Sequence, residues 1–248
     1  VLGIYDSGIG GVAVLERLQT VKPNLEFIYL ADQELFPIGQ KPTEQVLQRL
    51  EEVFQYFIKK GCQEILLACN TVSAIYAVHH KDFQKFKDQI KIHTITGPTV
   101  KLMKDNYSHL ENTPGVMIAT TATINSRYYQ TKLKDFKKLK YTYLRTLAWA
   151  IEKQNYEEIR NSLLQNSHLN WKSLNYIILG CTHYTWIKPI FNFLNPKLLV
   201  IDPVAEATGY LTKSLKLKES KRPTQKFYST GSKLKVDDRN YKFKKLRI

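Results

Sequence analysis

Two cysteines occupy matching places in the sequence. Cys69 closes the run EILLA and is followed by Asn70 and Thr71; Cys181 closes NYIILG and is followed by Thr182 and His183. The thiolate is the reactive form of cysteine, and a sulfur at the start of a helix sits against the positive end of the helix dipole, which lowers the thiol pKa. Both stretches are of the strand-then-helix kind that creates this setting, and His183 is near enough to Cys181 in sequence to serve as a proton partner. Thiols so placed suit proton transfer. A single buried cysteine after a strand is more often a small hydrophobe. The repetition, with hydroxyl or amide side chains behind each sulfur, is what points to chemistry. Cys62 supplies the contrast: it follows the helix end at Lys59, Lys60 and Gly61 with no polar cluster behind it, and reads as structural.

Such sulfurs need strands to hold them. Short β-like runs alternate with helical patterns along the whole chain, the signature of an α/β fold with mainly parallel sheets flanked by helices. Strands are expected in VLGIY, EFIYLA, EILLA, KIHTIT, GVMIAT, YTYLRT, NYIILG, LLVID and KFYST. The clearest helix is TEQVLQRLEEVFQYFIKKG, where Val46, Leu47, Leu50, Val53, Phe54, Phe57 and Ile58 share one stripe at the helical period. Thr43 is expected to cap its start and Gly61 to end it in the left-handed conformation. The two halves also rhyme: VLGIYDSGIGG and GVMIATTATINS each open with a strand running into small polar residues, and each half later delivers a strand ending on cysteine. Two similar lobes facing each other explain the doubling. Ligands of open α/β sheets bind beyond the carboxyl ends of the strands, where helix N-termini present free N–H groups. All four polar stretches fall at that edge.

The 248 residues suffice for one large domain or two lobes, and contain no apolar stretch of membrane-spanning length and no signal-peptide pattern. A cytoplasmic protein is expected. Three cysteines are too few and too odd for a disulfide framework, so the thiols read as reduced. The formal charge of +15 arises from 37 Lys and Arg against 22 Asp and Glu. These cations are scattered over helix faces and the C-terminal KLKVDDRNYKFKKLRI, with no block alternating them with stacking aromatics, so they read as a solvated surface rather than a nucleic-acid groove. A basic surface also steers an acidic small molecule toward a cleft.

Two other chemistries compete. GIGGVA at Gly8 to Ala13 fits the G-x-G-x-x-A pattern of dinucleotide sites, with Asp32 near the place of a ribose-binding acid, which leaves a nicotinamide- or flavin-dependent oxidoreductase as an alternative. Against it, Asp6 precedes the glycines, where a carboxylate would repel a pyrophosphate. Asp32 otherwise reads as an acid behind the site or a turn residue. Cys69, Cys181, His183 and His79 or His80 are zinc-binding types, but neither a Cys-x-x-Cys pair nor a His-x-x-x-His spacing joins them.

DSGIGG near the N-terminus, CNT after the third strand, ATTATINS in mid-chain and GCTH late in the chain, in that order and at these separations, resemble the cofactor-independent glutamate racemases of the aspartate/glutamate racemase superfamily. The resemblance extends over AWAIE, VIDPVAEAT and FYSTG, and so over nearly the whole chain. It implies a two-lobed α/β fold with the active site between the lobes, residues 1–95 plus 209–248 forming one lobe and 96–208 the other. It implies inversion of the α-carbon of glutamate by two cysteines, with neither pyridoxal phosphate nor metal, to supply D-glutamate for peptidoglycan. A homodimer is expected. Carried over by motif, Cys69 and Cys181 are the proton-transfer pair, Asp6 assists Cys69, and Glu152 and His183 assist Cys181. Substrate contacts are expected from Asp6, Ser7, Ile38, Gly39, Asn70, Thr71, Thr120, Thr123, Thr182 and His183, with Thr123 alternatively a helix cap. The family usually has P-Y-G where this chain has Pro37, Ile38 and Gly39, and a glycine where it has Ala119; these departures leave glutamate, aspartate and hydantoin substrates open.

Overall fold

The computed structural model of the chain describes residues 1–164, 169–215, 218–231, 234, 236 and 241–248. Of the basic C-terminal stretch at 233–248, residues 233, 235 and 237–240 lie outside that set. The described strands are β1 (Leu2–Asp6), β2 (Phe27–Asp32), β3 (Glu64–Leu67), β4 (Lys91–Thr94), β5 (Gly115–Ala119), β6 (Leu139–Tyr143), β7 (Tyr176–Gly180), β8 (Leu199–Ile201), β9 (Gln225–Thr230) and β10 (Phe243–Leu246). They form two wholly parallel sheets, one ordered β10-β9-β2-β1-β3-β4 and the other β6-β5-β7-β8.

Strands β1, β2, β5 and β7 are buried at every residue, as strands covered by helices on both faces must be. Alternate residues supply the two faces. In the first sheet Tyr5, Ile65 and Leu67 join one apolar cluster while Ile4, Leu66 and Tyr29 join the opposite one; in the second, Ile118 and Leu179 face one side and Met117 and Ile178 the other. Register then sets the site. Tyr5 pairs with Leu67 and Ala119 with Gly180, so the chain leaves each sheet at the same level on neighbouring strands.

The helix Thr43–Lys59 covers the first sheet through Val46, Leu50, Val53, Phe54 and Phe57, all fully buried, with Leu47 and Ile58 at the margin. Each such burial contributes about 1.5–3 kcal/mol. Gly61 follows at φ +75°, the expected left-handed residue. Thr43 is not the cap. Pro42 holds that position with its carbonyl accepting from the Val46 N–H at 3.2 Å, and Thr43 is already inside the first turn. The fixed φ of proline sets the chain direction there, so no side-chain cap is formed.

Two strand expectations shift. β6 starts two residues before the expected YTYLRT and ends at Tyr143, because Leu144 turns away into the core beside the second sheet. β10 arises from a segment read as basic surface; it is an edge strand with Lys244 and Lys245 exposed, a composition that discourages further pairing. Among the described residues, no helix is long and apolar enough to cross a membrane.

Candidate active site

Each sulfur is positioned by a strand end. Beyond β3, Cys69 occupies the N-cap position of the helix Asn70–His79, and the turn is fixed by Ser73, whose hydroxyl donates to the Leu67 carbonyl at 2.6 Å and whose N–H donates to the Cys69 carbonyl at 2.9 Å. Beyond β7, Cys181 precedes a 3-10 helix, Thr182–Ile187, which passes into the α-helix Lys188–Leu194. Its setting is therefore tighter than the α-helix start expected there. Both thiols are free and buried, and both line one cavity of about 20 Å³ together with Ser7, Ile38, Gly39, Thr71, Thr120 and His183. Cys62 lies apart in the core of the first sheet, where burial pushes its thiol up to about 11.

The surroundings of the two sulfurs differ. His183 Nδ1 faces the Cys181 sulfur at 3.8 Å, and His183 Nε2 meets Glu152 Oε2 at 2.6 Å. Glu152 ends the helix Leu147–Glu152 and also accepts from the Ile9 N–H at 3.0 Å and from Gln33 Nε2 at 2.7 Å. Burial alone would lower the His183 pKa, but its bonds to Cys181 and Glu152 outweigh this and hold it well above the ordinary range. Among the described residues, no histidine stands against Cys69 in this way. Burial, reinforced by the charges of Asp6 and Cys181, pushes its thiol up to about 12, against the weaker opposing effects of the Val72 N–H and the Ser7 hydroxyl, 3.9 Å away. The expectation that the helix start acidifies Cys69 is overturned: a dipole worth roughly 1 kcal/mol does not offset dehydration of the thiolate.

Behind this wall, Asp6 accepts from the Gly8 N–H at 2.9 Å and from the Thr182 hydroxyl at 3.1 Å, and burial raises its pKa despite the nearby His183 charge. Thr71, Thr120 and Thr123 form a triangle of hydroxyl contacts at 2.7, 2.9 and 3.2 Å that joins the two sheets' loops. The capping role weighed for Thr123 belongs to Thr120, whose hydroxyl accepts from the Thr123 N–H at the start of the helix Thr121–Asn125. Asn70 Oδ1 accepts from the Tyr129 hydroxyl at 2.6 Å, leaving Nδ2 buried without a hydrogen-bond partner. Gly39 packs on the Thr120 side chain so closely that a Cβ there would collide with it.

The glycines of GIGGVA serve packing. A Cβ on Gly8 would strike the Glu152 carboxylate and one on Gly10 would strike Thr182 and His183, so the face a pyrophosphate would need is filled. Asp32 is likewise committed: it accepts from Arg49 at 2.8 Å, from the Tyr5 hydroxyl at 2.8 Å and from the Thr230 hydroxyl at 2.6 Å. His79 stands against Asp82 at a helix end and His80 is exposed; among the described residues no three His, Cys, Asp or Glu side chains converge as a metal group. Sequence reasoning missed Gln33 and Arg145. Gln33 follows β2 at the carboxyl edge of the sheet, and Arg145 lines the cavity just after β6. Position at that edge was the signal available for both.

No family model matches the sequence. The chain is 30% identical over 256 residues to the glutamate racemase of Carboxydothermus hydrogenoformans, covering 93% of this chain and 86% of the relative. It is also 30% identical to that of Fusobacterium nucleatum, covering 93% and 88%. Among solved structures, a glutamate racemase from Francisella tularensis in complex with D-glutamate superposes with a TM-score of 0.78 at 28% identity, over 94% of this chain and 89% of that one. A Picrophilus torridus aspartate racemase is more distant, with a TM-score of 0.55 at 15% identity over 89% and 96%, a likeness of fold alone. With its paired cysteines at the carboxyl edges of two parallel sheets, the chain belongs to the glutamate racemase family.

Proposed function

We propose that the protein interconverts L- and D-glutamate without a cofactor by a two-base mechanism in which Cys69 and Cys181 exchange protons with opposite faces of the α-carbon. The observation that supports this most directly is that two free, buried thiols from different sheets line one cavity. The α-proton of an amino acid is very weakly acidic. Holding both sulfurs about 3–3.5 Å from the reacting positions removes much of the entropic cost of each transfer. Whichever sulfur takes the α-proton acts as the base and the facing thiol as the acid, and one turnover leaves these roles reversed.

The carbanion delocalises into the α-carboxylate, which donors fixed in advance stabilise. Asn70 Nδ2 and the hydroxyls of Thr71 and Thr120, with Thr123 supporting them, are the donors at hand, while Thr182 gives its hydroxyl proton to Asp6 and fixes that carboxyl group beside them. Asp6 with Ser7 supplies negative charge and an acceptor for the ammonium group, and His183 and Glu152 serve Cys181. Ile38 and Gly39 contribute backbone and shape where the usual phenol is missing. Among the described residues lining the cavity, the cationic side chains are His183 and Arg145. Arg145 at the outer wall suits a distal carboxylate.

The moving units we assign are 1–95 plus 209–248 and 96–208, acting in the cytoplasm as a homodimer that supplies D-glutamate for peptidoglycan. The test is incubation of metal-free, cofactor-free protein with L-glutamate in deuterated water, following optical rotation and α-deuterium together. Deuterium in newly formed D-glutamate, with the reciprocal result from the D-isomer, is expected. Absence of inversion, or inversion of aspartate in preference, defeats the assignment.

A further inference from the structure

We infer that Gln33 is a positioning residue that ties the two half-sites together and keeps the Glu152 carboxylate bonded to His183 for proton transfer at Cys181. This deepens the reading proposed above and rests on it. Gln33 Nε2 donates to Glu152 Oε1 at 2.7 Å and to the Ser7 carbonyl at 3.2 Å. Both partners are acceptors, so the amide nitrogen must face them. Ser7 is the residue whose hydroxyl touches Cys69, while Glu152 holds the ring that touches Cys181. One side chain thus spans the gap between the two supports.

The backbone of Gln33 is itself anchored. Its N–H donates to the Ala31 carbonyl at 3.1 Å, and the next residue's N–H donates to the Thr230 hydroxyl at 3.1 Å, fixing the turn against β9. Glu152 meets three partners, the Ile9 N–H, the Gln33 amide and the His183 ring, which fix the orientation of its carboxyl group. The other titratable groups facing this unit are Cys181, Asp6 from β1 and Tyr29 from β2. Asp6 and Tyr29 bring either negative charge or no charge. A neutral amide is therefore the donor that steadies Glu152 without competing with His183 for charge balance.

The isosteric variant Gln33→Glu discriminates, because it keeps size and replaces the donor with a carboxyl. Two carboxyl groups at hydrogen-bond distance share one proton well above the ordinary carboxylate range. Racemisation by Gln33→Glu should fall at least tenfold at alkaline pH and return to within about twofold of the parent at acid pH, where the protonated carboxyl donates again. Gln33→Leu should lose kcat about tenfold or more at every pH, with KM within about twofold and an unchanged melting temperature. The nitrogen-15 shifts of the His183 ring, measured on free protein, should show the same new step in Gln33→Glu and none in the parent. If the folded variant shows no new step in the ring shifts, the inference is wrong. Should the parent fail to racemise glutamate, the proposed function falls while the ring titration still decides the role of Gln33.

Discussion

In the proposed mechanism the two sulfurs carry the same chemistry in different environments, so their replacement separates them from the third. Cys69→Ser and Cys181→Ser should each lower racemisation in both directions by about a thousandfold or more, the scale of a lost positioned acid or base. Cys62→Ser should retain nearly full activity, because that sulfur is buried in the core and does not line the cavity. Equal loss at Cys62 would speak against the assignment. His183 makes a prediction about stability. Its pKa is raised in the folded protein from an ordinary value of 6.5, so its contribution is fully present below pH 6.5 and is lost as pH rises through the higher folded value. Urea midpoints of the parent should decline over that window, and His183→Asn should flatten the decline. At this scale the sequence pointed to the cysteines, the threonines and His183, and the structure brings Cys69, Cys181, Thr71, Thr120 and His183 to one cavity. It misjudged the Cys69 thiol because dehydration depends on what covers the sulfur. It was silent on Gln33 and Arg145, which carry no periodicity of their own.

Elements were the most legible level, since apolar periodicity depends on neighbours along the chain. The stripe on the helix Thr43–Lys59 was read residue by residue, whereas Arg49 on the same helix was not, because its burial follows from three acidic partners, Asp32, Glu34 and Glu52, that the fold assembles. The two ends of this helix should respond unequally to alanine. Gly61→Ala has open space around the new methyl but must hold φ +75°, a conformation costing an L-residue roughly 1–2 kcal/mol. A lower melting temperature with unchanged kcat is expected. Thr43→Ala removes no cap bond and should change stability by less than about 0.5 kcal/mol. A larger loss at Thr43 would mean that its hydroxyl caps the helix after all. β10 escaped notice because its lysines give it the pattern of a solvated tail; only pairing with β9 makes it a strand.

At the scale of the molecule, the cavity between the sheets has room for about one water molecule, far too little for an amino acid. Substrate must therefore enter by separation of the loops, and among the contacts that close them are the threonine triangle, the Thr182 hydroxyl on Asp6, the Ile9 and Gln33 donors on Glu152, the Tyr129 hydroxyl on Asn70, and the Gln40 amide donating to the Arg145 carbonyl at 2.9 Å. The structure is thus closed more tightly than the state that holds substrate, in which water is excluded from the reacting carbon. Arg145 belongs to this outer rim, so Arg145→Met should raise KM for glutamate about tenfold with a smaller effect on kcat, as expected for a charged bond to a distal carboxylate. Gly39 tests the closure itself. It lies in the loop after β2 and packs on Thr120 after β5, at a backbone conformation open to any residue, so an added methyl leaves each sheet's own fold undisturbed but collides across the gap. Gly39→Ala should melt with the parent yet lose kcat at least tenfold, because the two sulfurs no longer reach the α-carbon together. A Gly39→Ala enzyme with parental kcat at saturating glutamate would mean that turnover does not require this closed contact.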